Sequence, residues 1–324
     1  MKNFKIAQPQ TIDQVTSLLS EKRDKCYLMA GGTDLLGEIK DEIIEPEVVV
    51  DLKSISDLSY IKNEKDGVRI GALTSIAELA ENPMIRHDYQ GLHEAANSVA
   101  TPQLRNLGTV GGNLCQRPRC WYYRDPQLLC QKKGGFECYA YTGRNKYHAI
   151  FGGGPCYIVH PSDLAPALIS LDAEISISSP NGEKTLPLAD FYILPVVDVR
   201  KENILGANEV VKEIKIPPAK NGEKSTYYKL KERGVWDFAL VSVAVKGTVA
   251  GDIFKDIKIV LGGVAPVPWR LEKAENIIKG RKVTEQLLRR AAREALKDAR
   301  PLKENEFKKE LIETVLYRTA LSLV

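Results

Sequence analysis

Apolar and polar positions alternate in short runs along the first hundred residues. Phe4–Ala7 reads as a strand, and Thr11 with Gln14 forms a capping box that opens a helix through about Glu21. "CYLMA" (Cys26–Ala30) has the pattern of a buried strand ending at Gly31–Gly32; "DLLGEIKD" follows as a short helix and "VVVDL" (Val48–Leu52) as another strand. "YIKNEKDGVRIGA" predicts a hairpin turning at Asp66–Gly67. Helical period then covers Ser75–Glu81 and Arg86–Ala100. From Asn113 to about Cys156 the period vanishes. A stretch that long inside a domain is functional or disordered, and its cysteines and aromatics argue against disorder. Regular pattern resumes with "CYIVH" as a strand, a helix at Asp163–Leu171 and the hairpin "AEISISSPNGEKTLPL", turning at Asn181–Gly182. Pro217–Pro218 and "AKNGEKS" read as a linker. Three strands follow, "STYYKLKE", "FALVSVAVKGTV" and "IFKDIKIVLGGV", then two amphipathic helices, Thr284–Ala299 and Glu304–Leu321. The pattern is that of an α+β chain with a domain boundary near residue 222.

Composition narrows the function classes. A chain of 324 residues buries two or three cores and needs neither metal nor disulfides merely to fold. With 46 basic residues against 42 acidic, the net charge of +4 is small for a dedicated nucleic-acid binder. No apolar run approaches the length that crosses a bilayer, and "MKNFKIAQPQTIDQV" lacks the apolar segment of a secretory signal. A cytoplasmic protein with reduced thiols is the expectation.

Two glycine turns carry candidate chemistry. "AGGTDLL" (Ala30–Leu36) joins a strand end to a helix start, and "NLGTVGGNL" (Asn106–Leu114) repeats the device with Thr109 and Asn113 as extra donors. Glycines there let the backbone approach a ligand and aim successive N–H groups at an anion, so the pair could cradle a diphosphate. Each alone also reads as an ordinary tight turn. Neither matches the G-x-G-x-x-G fingerprint or a P-loop.

The aperiodic stretch holds "CQRPRCWYYRDPQLLCQKKGGFEC", from Cys115 to Cys138, with four of the six cysteines of the chain. Disulfides require an oxidising compartment for which there is no signal. Structural zinc favours C-x2–4-C pairs, and only Cys115 and Cys120 are so spaced. "RPRCWYYR" is short for a nucleic-acid patch. A four-thiolate cubane tolerates loose spacing. Arg117, Arg119, Arg124, Lys132 and Lys133 would offset its charge, N–H groups of Gly134 and Gly135 would face its sulfides, and Trp121, Tyr122, Tyr123 and Phe136 would screen it. Cys26 reads as a core thiol. The histidines, His87, His93, His148 and His160, are scattered and form no catalytic arrangement in sequence. The basic segment "LLRRAAREALKDARPLK" reads as a solvated helix face.

"AGGTDLL", "TPQLRNLGTVGGNL", "HPSDLAPALISLDAEI" and "YYKLKERGVWDFALVSVAV" occur in that order. Together they resemble the FAD-binding medium subunit of the molybdenum hydroxylase (xanthine dehydrogenase) family over essentially the whole chain. The resemblance implies a two-lobed FAD-binding domain of the vanillyl-alcohol oxidase type over residues 1–222, with an iron–sulfur insert at about 114–156. A smaller α/β C-terminal domain would span residues 223–324. It implies FAD contacts from Met29, Ala30, Gly31, Gly32, Thr33, Asp34, Leu35, Ala100, Thr101, Gly108, Thr109, Gly111, Gly112 and Asn113. Asp163, beside Leu164, would bond the ribityl or ribose part, and Lys229 matches a lysine of a later strand, with Lys231 on the same strand face.

The insert is similar to that of the 4-hydroxybenzoyl-CoA reductase β subunit, which carries a 4Fe–4S cluster. Carried over, the ligands are Cys120, Cys130, Cys138 and Cys156, with Cys115 competing with Cys120 for the first position. The resemblance further implies an electron-transfer oxidoreductase subunit without catalytic acid–base residues of its own. Its partners would be a large subunit with a molybdenum cofactor and a small subunit with two 2Fe–2S clusters, with ferredoxin or NAD as external carrier. Neither nucleic acid nor membrane is expected. The competing reading is a cofactor-free scaffold or nucleic-acid-associated protein with structural zinc.

Overall fold

A computed structural model describes residues 2–22 and 25–324. Among them, β1 (Lys5–Ala7), β2 (Cys26–Met29) and β3 (Val48–Asp51) pair in parallel in the order β1-β3-β2. Parallel neighbours need crossovers. Helix α1 (Ile12–Lys22) joins β1 to β2 and buries Val15 and Leu19, while α2 (Leu35–Lys40) joins β2 to β3. Half of the capping box before α1 is as expected, with the Thr11 hydroxyl accepting from the Gln14 N–H, but the Gln14 side chain accepts from the Gln10 N–H and not from that of Thr11.

A second sheet is antiparallel throughout. It contains β4 (Ile61–Glu64), β5 (Gly67–Gly71), β6 (Glu174–Ser179), β7 (Gly182–Pro187) and β8 (Val210–Ile216) in the order β4-β5-β8-β6-β7. The two predicted hairpins are present, but they do not touch. Strand β8, which the pattern did not single out, is wedged between them; a register shift against β6 between Ser176 and Ile177 breaks its alternation, so that Val211 and Ile214 are both buried while Lys212 and Lys215 are half-buried.

Seven helices lie between β5 and β6: α3 (Ile76–Glu81), α4 (Pro83–Asp88), α5 (Gln90–Ser98), α6 (Pro102–Leu107), α7 (Val110–Leu114), α8 (Trp121–Arg124) and α9 (Leu164–Ser170). A complete capping box of Ser75 and Glu78 starts α3. The single helix expected at Arg86–Ala100 is broken at Tyr89, whose hydroxyl bonds the Pro217 carbonyl; Asn82 and Pro83 start the first piece. Both halves of the second glycine segment are helical, capped by Thr101 and Thr109. "CYIVH" is not a strand. It runs alongside the third sheet, anchored where His160 donates its N–H to the Ala265 carbonyl.

The chain leaves the second sheet at Ile216 and enters the third at Glu223. There β9 (Glu223–Leu230), β10 (Val241–Ala250), β11 (Ile253–Gly262) and β12 (Trp269–Arg270) form an antiparallel sheet in the order β12-β11-β10-β9. Helices α10 (Glu272–Ile278), α11 (Glu285–Ala295) and α12 (Lys308–Leu321) belong to the same region, and Val243, Val245, Ile259, Leu288, Ile312 and Leu316 share one core. The opposite face meets α5 and α9, where Tyr227, Ala244 and Val260 enter the core of the preceding region. β10 is buried on both faces from Val241 to Gly247, where Val241, Val243, Ala244 and Val245 supply the apolar side chains. The expected strand "FALVSVAVKGTV" starts late, at Val241, because residues 231–240 form a loop.

Candidate functional site

A cavity of about 530 Å3 opens beside both glycine turns, the start of α9 and the end of β9. The turns touch each other. A Cβ on Gly31 would sit 2.1 Å from the Leu107 carbonyl oxygen, so only glycine permits the contact. Gly111 is similarly pressed on Ala72, with a Cβ 2.9 Å from the Ala72 Cβ.

Their donors are not equivalent. In the second turn Val110, Gly111, Gly112 and Asn113 give their N–H groups to Thr74, Ala72 and Thr109. In the first, the N–H groups of Gly32, Thr33 and Asp34 have no protein acceptor among the described residues. Free N–H groups beside a helix start suit a diphosphate. The first turn therefore offers unpaired donors to the cavity, and the second shapes the wall.

The predicted flavin residues line this cavity, with three exceptions. Thr101 caps α6, Leu164 is buried in the core, and Met29 lies in the strand just before the cavity wall. Asp34 lines it but turns its carboxylate toward the insert. It accepts from the Arg117 N–H, from Arg119 Nη1 and from Arg124 Nη2, each at 2.7 Å. Helix α2 consequently lacks a side-chain cap.

Asp163 and Lys229 meet in the wall at 2.7 Å, with the Tyr227 hydroxyl on the other carboxylate oxygen at 2.7 Å. Burial pushes the Asp163 carboxyl up, and Lys229 opposes that shift. Lys231 instead bonds the Gly234 carbonyl on an exposed loop. Leu205, Trp236 and Phe238 also line the cavity without having been singled out. Trp236, between the two expected strands, has a left-handed φ of 45° for which there is no sequence signal.

A second, much smaller cavity of about 10 Å3 is lined by Cys120, Cys130, Cys138 and Cys156 with Tyr122, Tyr123, Lys132, Tyr139, His148 and Ile158. Cys115 is not among them. It lines the flavin cavity, and burial pushes its thiol up to about 12. All six cysteines are free. Cys138 and Cys156 act on each other, which pulls the Cys138 thiol down and pushes Cys156 up. Among the described residues no three His, Cys, Asp or Glu side chains meet the geometry of one bound metal ion.

His148, which sequence reading left as a background residue, places Nε2 3.2 Å from Cys120 Sγ. Its ring also neighbours Trp121 and Tyr122, and burial pulls it down to about 4. A third cavity, of about 210 Å3, lies between the other two, with Arg119, Asp163 and Phe238 shared with the flavin side and Cys120 and His148 with the thiol side.

The charges and screens of the insert differ from expectation in detail. Arg117 pairs with Glu202 at 2.7 Å, Lys132 is buried against the same carboxylate, and Arg119 and Arg124 hold Asp34, with Glu38 3.7 Å from Arg124. Four cations (Arg117, Arg119, Arg124, Lys132) thus face three carboxylates (Asp34, Glu38, Glu202), leaving one positive charge. Lys133 reaches only the Asp125 carbonyl. The N–H groups of Gly134 and Gly135 are not free for sulfide, since they close a turn onto the Gln131 and Cys130 carbonyls. Phe136 is fully exposed and screens nothing, whereas Tyr123 is buried.

His87 is exposed and His93 half-buried, and neither lines these cavities. The basic C-terminal segment is solvated as expected, with Arg289 and Arg293 on Glu313. Among the described residues no helix is long and apolar enough to cross a membrane.

Comparison with known proteins gives the same picture from sequence and from shape. Residues 2–219 match the family described as the FAD binding domain in molybdopterin dehydrogenase, and residues 226–323 the CO dehydrogenase flavoprotein C-terminal domain. The chain is 36% identical to the aldehyde oxidoreductase FAD-binding subunit PaoB of Escherichia coli (strain K12), over 80% of this chain and 81% of that one. It is 28% identical to the carbon monoxide dehydrogenase medium chain of Hydrogenophaga pseudoflava, over 92% and 88% of the two. A solved structure of carbon monoxide dehydrogenase from Hydrogenophaga pseudoflava superposes with a TM-score of 0.79 at 25% identity, covering 99% of this chain and 97% of that one. With both segments matched and a cavity built around the glycine turns, the chain belongs to the family of FAD-binding flavoprotein subunits of the molybdopterin dehydrogenases, as an oxidoreductase subunit.

Proposed function

We propose that this chain is the FAD- and 4Fe–4S-containing electron-transfer subunit of a molybdenum-dependent hydroxylase, dehydrogenase or reductase complex. It passes electrons between the 2Fe–2S clusters of a small partner subunit and an external carrier, ferredoxin or NAD. Substrate chemistry takes place on a large molybdenum subunit. Residues 1–222 form the FAD-binding domain, with the insert at about 114–156, and residues 223–324 the C-terminal domain.

The flavin cavity fits its group. The free N–H groups of Gly32, Thr33 and Asp34 hold the diphosphate, and Asp163, kept in place by Lys229 and Tyr227, accepts from a flavin hydroxyl. Bound FAD supplies the exchange between two-electron and one-electron steps; the protein fixes its position and surroundings.

One observation carries the cluster reading: Cys120, Cys130, Cys138 and Cys156, far apart in sequence, converge on one enclosed space. Arg119 lines the flavin cavity and the next residue, Cys120, lines the thiol cavity, so the two cofactors would be neighbours. Zinc would need the four thiols on one tetrahedron with bonds of ~2.3 Å, and the side chains do not meet that geometry. A cubane has several irons and needs no common ligand point. With about 10 Å3 between the thiols, cluster binding spreads them and the loops that carry them.

The experiment is iron and flavin analysis of anaerobically purified Cys138→Ala beside the unaltered protein. The reading expects iron in the latter, and in the variant loss of iron with FAD retained. Equal iron in both refutes the ligand assignment, and a zinc-containing, iron-free protein favours the competing reading.

A further inference from the structure

Lys308 opens α12 and is fully buried. Its Nζ donates to three backbone carbonyls: Gly263 at 2.8 Å, His148 at 3.0 Å and Tyr147 at 3.2 Å. Three acceptors around one nitrogen require three N–H bonds. Only the ammonium has them, since a neutral amine would turn its lone pair toward one carbonyl oxygen. No carboxylate among the described residues pairs with this cation. Burial alone pulls it down to about 7. A buried charge of this kind is costly unless a counter-charge stands nearby.

The surroundings indicate where that counter-charge belongs. The His148 carbonyl accepts from Lys308, and its Nε2 lies 3.2 Å from Cys120 Sγ. The Asn305 amide, one turn earlier, donates to the carbonyls of His148 and Ala149, while Asn145 and Glu304 each donate the backbone N–H to a side-chain oxygen of the other. The start of α12 therefore grips the segment that forms one wall of the thiol cavity.

We propose that Lys308 is a positioning residue for the iron–sulfur cluster: its buried ammonium fixes the Tyr147–His148 wall and is the counter-charge to a cluster held by Cys120, Cys130, Cys138 and Cys156. The inference rests on the cluster reading above. A four-thiolate cubane is negatively charged and gains one more negative charge on reduction, so a fixed cation nearby favours the reduced form. Removing it shifts the cluster to a more negative potential.

The test uses the intact protein with Lys308→Met and Lys308→Gln, both neutral and of similar length. Lys309→Met, which alters a partly exposed neighbour, is the control. Redox titration followed by electron paramagnetic resonance reads the potential, and iron, FAD and circular dichroism are measured on the same samples. The expected result is a more negative midpoint in both neutral variants and none in the control. Loss of iron from both, with FAD and native circular dichroism retained, also supports the role. Iron at the unaltered potential overturns it, as does general loss of the fold, which would assign Lys308 to folding alone. An unaltered protein with FAD but no iron is a separate outcome: it refutes the cluster reading, and this inference with it.

Discussion

Asp163 Oδ2 and Lys229 Nζ lie 2.7 Å apart, and through them the start of α9 is joined to the end of β9 in the wall of the flavin cavity. Both side chains are almost entirely out of water, at 7% and 3% exposure, so solvent screens the pair little. The Tyr227 hydroxyl and the Ser98 carbonyl complete the bonding of the two groups.

Removing one charge from such a pair strands the other. Asp163→Asn keeps an acceptor for Tyr227 but leaves Lys229 buried without a counter-charge, and should destabilise the flavin-free protein by about 3–5 kcal/mol. Adding Lys229→Met to that variant should recover part of the loss. Urea unfolding of both checks this. A double variant no more stable than the single one would show that packing, not charge, sets the cost.

Gly31→Ala should abolish retention of FAD through gel filtration. Its Cβ would lie 2.1 Å from the Leu107 oxygen, a backbone atom, so the two turns must separate. Gly37→Ala supplies the contrast. Gly37 lies within α2, and its Cβ would meet only an arginine nitrogen at 4.0 Å. Alanine there should raise stability by up to about 1 kcal/mol and leave the flavin bound.

Local signals and long-range placement were not equally legible. The strand-glycine-helix run at Ala30–Leu36 could be read directly, because the turn and its free N–H groups are properties of adjacent residues. The convergence of the cysteines rested on family likeness; no periodicity predicts which thiols a loop of some forty residues brings together. The direction of Asp34 could not be read, since three arginines more than eighty positions away decide it. β8 stayed hidden because its neighbours in the sheet are remote in sequence, and the expected screen at Phe136 failed because nothing local tells an exposed ring from a buried one. Lys308 drew no notice in the sequence, because its three carbonyl partners come from segments 45 to 161 positions away.

Cys115→Ser and Cys120→Ser separate the two thiols that sequence spacing alone leaves in competition. Cys115 faces the flavin cavity, with its thiol held protonated by burial. Cys120 lines the thiol cavity and contacts His148. Metal analysis should find full iron in the Cys115 variant and a marked loss in the Cys120 variant. The reverse order would assign the first ligand position to Cys115.

His160 gives the chain a specific sensitivity to acid. Its ring is buried, with Tyr192 edge-on at 4.6 Å; Nδ1 accepts from the Ser162 N–H and Nε2 has no partner. Burial pulls the imidazole down to about 3 in the folded protein, whereas an unfolded histidine titrates near ~6.5. Between those values the unfolded chain binds the extra proton. The contribution is therefore complete above the unfolded value and is lost as pH falls toward the folded one, at a limiting rate of about 1.4 kcal/mol per pH unit. Urea unfolding of the unaltered protein and His160→Leu between pH 7 and pH 5 isolates this term. Loss of the Ser162 acceptor and any change in packing offset the variant equally at every pH, so they alter the intercept alone. The slope for the variant should be shallower by nearly one proton at the acid end. Parallel lines would mean that the imidazole already takes up its proton in the folded state, contrary to its burial.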